Sequence, residues 1–307
     1  MMFYMFGDEV VNIEIEEINP NLLCAGLITV GEFEKLAAVF SLPKNVVELA
    51  KREKKQKAIT KYSGDDFTFV RFDILNKERC AGVTLIAKKN MIICVDLSPE
   101  NEMVQRCFFE LFSRCVCENA EPEKLICTLL EIICEEVSTF FDGEKEIDEL
   151  EKKIIDKHCG NDFNKILIEK KQELLRLRLF YEQLIDTAEV FIQNENEMFG
   201  EKAISRFKIF REKVMRFKEN ADILRENVIH LWDAYQTYIE VSQNEIMKLF
   251  TVITSVFMPM TVIVGWYGMN FRYMPEIQSR FGYPYVIFLN VCVVFVLVFI
   301  FKKKKWI

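Results

Sequence analysis

The fold is decided by one stretch, LFTVITSVFMPMTVIVGWYGMN at residues 249–270, and by a second apolar run at residues 285–301. Each run has close to the ~20 residues that cross a hydrocarbon core, and neither has a charge in its interior. We therefore predict transmembrane helices at residues 249–267 and 285–301. YGMN leads into the loop between them, residues 268–284, where a short polar segment is suited to holding a hydrated ion at a pore mouth.

The charges beside the second span set the predicted topology. That span is followed directly by a run of lysines, Lys302, Lys303, Lys304 and Lys305. A basic cluster next to a span marks the cytoplasmic side of a membrane, so the tail at residues 302–307 is expected inside. The N-terminal part is then also inside and the loop outside. We expect a multi-pass protein of the plasma membrane, or cell inner membrane, with both termini cytoplasmic.

Composition argues against several classes of protein. The 307-residue chain has a net charge of −7, which argues against nucleic acid as a partner. Most of its 10 cysteines sit in apolar runs, as buried and reduced thiols do. The histidines are His158 and His230, too few for a zinc or histidine-based catalytic cluster. With no nucleophile–base pair and no phosphate-binding glycine loop, we expect neither an enzyme nor a prosthetic group.

The part of the chain before the spans has three predicted segments. Residues 1–118 mix strand and helix patterns and predict a cytoplasmic α/β domain. Residues 119–199 are predicted to form a charged helical hairpin with a break near Gly160. Residues 200–248 form a stalk helix that continues without Gly or Pro into the first span. The predicted fold class is thus an α+β membrane protein: α/β domain, hairpin, and a very long stalk helix continuing into the first of two C-terminal transmembrane helices.

The stalk carries apolar residues at alternating steps of four and three from Phe210 to Tyr238. Such spacing is the a/d seam of a coiled coil. We interpret it as a seam between subunits, which makes the protein an oligomer.

The two spans differ in polarity. The first carries several hydroxyl side chains, whereas the second carries only Asn290 and Cys292 besides hydrocarbon groups. Polar groups avoid lipid, so the first span is expected to line a pore, and Asn290 is interpreted as an interhelical hydrogen-bonding residue. One helical face of the first span holds the predicted pore-lining residues: Met247, Phe250, Thr254, Met258, Thr261 and Gly265. Alternatively, this face only packs helix on helix.

The pore predicted from the first span has no carboxylates in its lumen, so neutral oxygens would have to contact the ion. Magnesium releases its water reluctantly, so neutral oxygens from Asn270 at the entrance and Thr261 deeper would contact its hydration shell. Phe250, Met247 and Met258 would form apolar constrictions that gate by dewetting.

Residues 233–307 closely resemble the CorA family of magnesium transporters. The resemblance rests on NEIMK at 244–248, FMP at 257–259, YGMNF at 267–271, YMPE at 273–276 and KKKKW at 302–306. It implies a homopentamer in a lipid bilayer, with passive uptake of divalent metal ions driven by the membrane potential. It also implies that Gly268, Met269 and Asn270 bind hydrated Mg²⁺ at the outer mouth, and that the lysine run forms a basic collar.

The resemblance further implies that cytoplasmic Mg²⁺, bound between subunits, closes the channel. Glu48 is the expected acidic partner on the N-terminal domain, whereas Ile209 stands at the expected stalk aspartate, with Glu212, Glu219 or Asp222 as substitutes. The side-chain charges of the outer loop sum to about +1 per subunit. Glu276 from each subunit is expected to form a partial acidic ring there.

The sequence leaves three functional hypotheses open. The first is a CorA-type channel for Mg²⁺, with Co²⁺ and Ni²⁺ as further candidate ions. The second is a zinc-transporting relative in the same superfamily, against which the intact Gly-Met-Asn argues. The third is a membrane-anchored coiled-coil scaffold that conducts nothing.

Overall fold

A computed structural model describes most of the chain. The described residues are 2–6, 10–14, 22–37, 42–51, 59–75, 81–98, 102–114, 121–139, 143–160, 162–269, 274, 279, 281–304 and 306. They fall into two compact units, Met1–Leu231 and Trp232–Ile307.

The first unit contains a mixed seven-stranded sheet. Its strands are β1 (Met2–Phe6), β2 (Val10–Ile13), β3 (Leu23–Thr29), β4 (Thr60–Ser63), β5 (Phe67–Ile74), β6 (Ala81–Lys88) and β7 (Met91–Asp96). The spatial order is β2-β1-β3-β7-β6-β5-β4. Neighbours are antiparallel except β3 and β7, which run parallel. The sequence predicted β5, β6 and β7 because their apolar runs are separated by turn residues, and these strands are confirmed to within about two residues.

Two short helices cover one side of this sheet, α1 (Val30–Leu36) and α2 (Lys44–Lys51). Helix α1 begins with a capping box, in which Glu32 Oε2 accepts hydrogen bonds from the Thr29 backbone N–H and hydroxyl at 2.8 and 2.9 Å. Helix α2 buries Val46 and Ala50 in the core that includes Phe69 of β5. Burial of these apolar side chains fixes α2 against the sheet.

A buried arginine holds the end of α2. Arg71 of β5 is 8% exposed, and its Nη1 donates to the carbonyls of Leu49 and Ala50 at 3.1 and 2.8 Å. These carbonyls belong to the last turn of α2, where backbone acceptors lack helical donors and a cation is favoured. Arg71 therefore links α2 to β5, the strand beside the edge strand β4.

The remaining helices are α3 (Met103–Arg114), α4 (Pro122–Thr139), α5 (Gly143–Ile155), α6 (Phe163–Gln193), α7 (Glu201–Tyr267) and α8 (Gly282–Lys303). The range predicted as a hairpin, residues 119–199, contains three helices, α4, α5 and α6, and the predicted break near Gly160 lies between α5 and α6. Lys157, in the connection between these helices, adopts a positive φ of 56°. Helix α7 continues without interruption for 67 residues, as its lack of internal glycine and proline up to Pro259 predicted.

The interpretation of the stalk seam as an intersubunit coiled coil is wrong for residues 210–231. The seam residues of this stretch, including Phe210, Val214 and Val228, are at most 7% exposed or half-buried within the single chain. Rings of α6 contact α7: Tyr181 stacks on Phe217 with ring centroids 5.8 Å apart. Periodicity identified the apolar face correctly, but its partner is a helix of the same chain.

Ion pairs flank this apolar seam. Basic residues of α7 contact carboxylates of other elements: Arg206–Glu121 at 2.7 Å, Lys213–Glu135 at 3.3 Å, Arg211–Glu189 at 2.5 Å and Lys218–Glu182 at 3.0 Å. All are partly exposed, so each contributes little by itself. Together with the seam they hold the first part of α7 against α4 and α6.

The cysteines follow the sequence prediction where they are described. Cys24, Cys94, Cys107, Cys127 and Cys134 are buried free thiols, and Cys159 and Cys292 are half-buried. Burial raises the pKa of Cys107, Cys127 and Cys134 to about 12. These thiols therefore stay protonated at neutral pH.

Replacing Arg71 should loosen the contact between α2 and the sheet. Arg71→Met removes two hydrogen bonds from a charged donor and leaves buried carbonyls without partners, so we expect a loss of about 3 kcal/mol in the free energy of unfolding. Urea unfolding of the full-length protein in detergent, followed by circular dichroism, measures it. The matched control is Arg106→Met, which removes the surface pair with Glu136 and should cost less than about 1 kcal/mol. Equal losses for both variants would contradict this account of Arg71.

Candidate functional site

The second unit offers two helices long and apolar enough to cross a membrane, by length and composition: the C-terminal part of α7 and the whole of α8. Only 6% of each apolar window is buried within the chain. Side chains such as Phe257 at 62% and Phe295 at 72% exposure are left uncovered. Apolar surface of this extent requires lipid or other subunits around it.

Each of the two spans has one stripe of less exposed residues. Val252 of α7 and Phe301 of α8 are each 8% exposed, and the half-buried residues of each span continue from them at steps of three and four. On α7 the stripe continues through Ser255, Val256, Pro259 and Ile263; on α8 it continues through Val286, Leu289, Asn290, Val293 and Leu297.

The predicted pore-lining face is on the other side of α7. Its members Met247, Phe250, Thr254, Met258, Thr261 and Gly265 are all exposed. At about 100° per residue, their centre lies roughly 150° around the helix from the less exposed stripe. The structure therefore brings these six residues together on one continuous exposed face of α7.

Threonine oxygens are the polar groups of this face. The Thr254 hydroxyl donates to the Phe250 carbonyl at 2.8 Å, and the Thr261 hydroxyl donates to the Phe257 carbonyl at 2.9 Å. A hydroxyl has one proton and two lone pairs. Because the proton is bonded to the helix, each hydroxyl presents only acceptor capacity to its surroundings.

Helix α7 ends at the predicted entrance. The Gly268 N–H donates to the Val264 carbonyl at 2.9 Å, and the Met269 N–H donates to the Trp266 carbonyl at 3.3 Å. A Cβ on Gly268 would lie 3.0 Å from the Val264 oxygen, so a side chain there would push against the last turn. The negative end of the helix dipole is at this point, which favours a cation. Asn270 and Glu276 lie outside the described residues.

At the other end of α8, Lys302, Lys303 and Lys304 are exposed, and Lys305 lies outside the described residues. Trp306 stacks on Phe301 with ring centroids 5.8 Å apart, and its backbone N–H donates to the Phe301 carbonyl at 3.0 Å. The tail thus folds back onto the end of the span, with the lysine ammonium groups free to face a polar surface.

The predicted regulatory positions, Glu48 and Ile209, lie on different helices. Glu48 is exposed on α2, the helix that Arg71 anchors, and Ile209 is 67% exposed on α7. Asp222, one of the suggested substitutes, pairs with Arg178 at 3.1 Å inside the same chain. Among the described residues there is no group of three or more His, Cys, Asp or Glu side chains placed to hold a metal. A metal at Glu48 would therefore need ligands from elsewhere.

Asn290 was predicted to form a hydrogen bond between helices, but its described hydrogen bond lies within α8. The Asn290 Nδ2 donates to the Val286 carbonyl at 2.9 Å, while its Oδ1 is buried without a partner among the described residues.

Known proteins resemble this chain over most of its length. A family model described as "CorA-like Mg2+ transporter protein" matches residues 29–304. The cobalt/magnesium transport protein CorA of Thermotoga maritima is 25% identical over 232 residues, covering 73% of this chain and 64% of that protein. The magnesium transport protein CorA of Escherichia coli K12 is 27% identical over 185 residues, covering 59% and 56%. The chain thus spans about three fifths of the length of these relatives.

A solved structure shares the fold. The complete CorA magnesium transporter from Methanocaldococcus jannaschii superposes with a TM-score of 0.83 at 17% identity, covering 100% of this chain and 98% of the other. This confirms the predicted fold class: a soluble α/β domain, a long helix and a C-terminal apolar helix. Because the family model covers residues 29–304 of the 307, the chain belongs to the family of CorA-like Mg²⁺ transporters.

Proposed function

We propose that this chain is the subunit of a homopentameric channel that carries hydrated Mg²⁺ passively into the cytoplasm. The observation that carries the proposal is the exposed, charge-free face of α7, with Thr254 and Thr261 along it and Gly268 at its end. Relatives named as magnesium or cobalt/magnesium transport proteins support Mg²⁺ as the ion and Co²⁺ as a further candidate.

A hydrated ion suits a face of this kind. Mg²⁺ keeps several of its waters because dehydration is costly, and those waters are hydrogen-bond donors. Thr254 and Thr261 offer acceptors only, since their protons are bonded to the helix. Rings of such oxygens from several subunits would accept from the hydration shell without removing it. Apolar Phe250 and Met258 between them would narrow the path and let it close by dewetting.

The energy for uptake comes from the membrane. A potential of 100 mV, negative inside, contributes about 2.3 kcal/mol per charge, or about 4.6 kcal/mol for a divalent ion. The channel therefore needs no chemical step to drive Mg²⁺ inward. Its tasks are to select the ion and to close when the cytoplasm holds enough.

Closure is proposed to act through Glu48. Its carboxylate projects from α2, which is fixed by the burial of Val46 and Ala50 and by the Arg71 hydrogen bonds. A cation bound at this carboxylate and at a neighbouring subunit would join two rigid bodies. The Ile209 side chain has no oxygen that could bind a metal. The ligand from the neighbouring subunit would therefore be a different group.

The first test measures Mg²⁺ flux into proteoliposomes with an imposed inside-negative potential. Wild-type protein should conduct, and Asn270→Ala should lose at least about tenfold of the flux, because the neutral amide at the mouth is gone. Asn164→Ala, at an exposed position of α6, is the matched control and should conduct normally. No wild-type flux with internal Mg²⁺ chelated would contradict the proposal, and the same vesicles would then be tested with Zn²⁺ and a proton gradient.

The second test concerns the threonine oxygens. Thr254→Val and Thr261→Val keep the side-chain shape and remove the acceptor, so each should lower Mg²⁺ flux about tenfold. Thr251→Val is the control, because Thr251 makes the same type of bond, to the Met247 carbonyl at 2.7 Å, but lies about 60° off the centre of the face. A similar loss in all three variants would indicate helix destabilisation instead of ion contact.

The third test concerns closure. Glu48→Ala should raise flux at millimolar internal Mg²⁺ and leave flux at chelated internal Mg²⁺ unchanged, since only the closed state loses a contact. Glu102→Ala, another exposed carboxylate of the first unit, should be inhibited like wild type. Unchanged inhibition in Glu48→Ala would remove Glu48 from the regulatory site.

A further inference from the structure

The C-terminal end of α8 places three positive charges directly after its apolar span. Residues 282–301 include no Asp, Glu, Lys or Arg, and Lys302, Lys303 and Lys304 follow them. All three lysines are exposed, and no ion pair among the described residues involves any of them. Hydrocarbon excludes ammonium groups, so the boundary of the membrane core lies at the start of this lysine run.

The most exposed side of α8 near this end is formed by two phenylalanines. Phe295 is 72% exposed and Phe299 is 70% exposed. They lie four residues apart and therefore share one side of the helix, here called the phenylalanine face. Within the described residues, the chain itself leaves this face uncovered. In a membrane, an apolar face of this kind is suited to contact with lipid acyl chains.

Two of the three lysines continue the phenylalanine face. Lys302 is seven residues after Phe295 and three after Phe299, and Lys303 is four residues after Phe299. At about 100° per residue, the two lysines lie roughly 40° and 60° to either side of the mean direction of the rings. Lys304 lies roughly 160° from that direction. Helix α8 thus carries two cations above its uncovered face and the third on the other side.

Trp306 covers a different side of α8. Lys304 still follows the helical path, because its backbone N–H donates to the Ile300 carbonyl at 3.0 Å. Trp306 then stacks on Phe301 with ring centroids 5.8 Å apart. Phe301 lies roughly 140° around the helix from the phenylalanine face. The tryptophan therefore leaves the two lysines above that face open.

Side chains at this end of α8 start in the direction of the membrane. The Cα–Cβ bonds of a helix are tilted toward its N-terminus, and for Lys302 and Lys303 this is the direction of the apolar span. A lysine in such a place keeps its hydrocarbon stem along apolar surface and its ammonium group at the polar boundary. The phosphates of phospholipid headgroups lie at that boundary, within reach of both ammonium groups.

We propose that Lys302 and Lys303 bind the headgroup phosphate of an anionic phospholipid whose acyl chains cover the phenylalanine face. Each ammonium group has three N–H donors for phosphate oxygens. Along the helix axis, Phe299 lies about 5 Å and Phe295 about 10 Å from Lys302 on the side of the span. A lipid held by its phosphate therefore has the first part of its acyl chains against both rings.

The site selects lipids by net charge. A zwitterionic lipid has the same phosphate, but its own ammonium group offsets the attraction to lysine. Anionic lipid should be favoured by roughly fivefold for each lysine near the membrane surface. This lipid site goes beyond the proposed transport and does not depend on it, so a failure of either leaves the other standing.

Quenching by brominated lipids measures the affinity at this face. The full-length reporter protein carries Phe299→Trp and lacks the other indoles through three further changes: Trp232→Phe, Trp266→Phe and Trp306→Phe. It is reconstituted in mixtures of phosphatidylglycerol and phosphatidylcholine in which one of the two lipids is brominated. Phosphatidylglycerol should bind beside the indole at least about fivefold more tightly than phosphatidylcholine. A salt concentration of about 1 M should reduce this ratio, because it shortens the screening length to about 3 Å.

Lysine variants of the reporter test the position of the charges. Lys302→Gln/Lys303→Gln should bring the affinity ratio of the two lipids to within about twofold of one. Lys302→Arg/Lys303→Arg keeps both charges and should keep the ratio. Lys304→Gln is the matched control, because it removes the same charge from the other side of α8 and should leave most of the preference. If the Gln pair does not assemble, Lys302→Gln and Lys303→Gln made singly should each lower the ratio.

Three results would overturn the proposal. Equal affinities of the two lipids in the reporter would mean that the lysines face protein groups, as in a basic collar. A full preference in Lys302→Gln/Lys303→Gln would mean that the anionic headgroup is bound by other residues. A loss in Lys304→Gln as large as in the pair would mean that the whole lysine run attracts anionic lipid without a site at the phenylalanine face.

Discussion

The lack of water inside a bilayer is the constraint on which the second unit depends. A backbone group that loses its partner in hydrocarbon has no solvent to bind, so both spans must be helices with few interruptions. Thr251, Thr254 and Thr261 meet the constraint by bonding their own helix. Pro259 violates it at one carbonyl. The same physics leaves this carbonyl in need of a donor other than the proline four residues later.

In the first unit, α7 is stabilised by packing against other helices of the same chain. There the apolar seam of α7 is buried by α6, and charged pairs such as Lys218–Glu182 and Arg206–Glu121 flank it. Burial of the apolar seam contributes most of the free energy that stabilises this part of α7, because surface ion pairs contribute little. One continuous helix thus has two kinds of surroundings: a packed seam of side chains in the first unit and a largely uncovered surface in the second.

The sequence was most informative where the signal is local. Span lengths, strands β5 to β7 and the continuity of α7 follow from runs, turns and the absence of breakers over short windows. Pairing partners did not follow, because periodicity shows which face is apolar and not what covers it; the seam from Phe210 to Leu231 illustrates this. The parallel contact of β3 with β7 and the Arg71 hydrogen bonds join distant segments, so no local pattern could reveal them. That the predicted pore-lining residues share one helical face was predictable, whereas the Asn290 oxygen, which has no partner among the described residues, could be found only in the structure.

The tryptophans of the spans have an optical consequence. Among the three tryptophans of the chain, Trp266 is 61% exposed near the C-terminal end of α7, and Trp306 is stacked on Phe301 beyond the C-terminal end of α8. An exposed indole and an indole against a phenyl ring emit in different surroundings. The protein therefore carries natural fluorophores at opposite ends of its spans, and a change of tilt at Pro259 would alter their emission without any added dye.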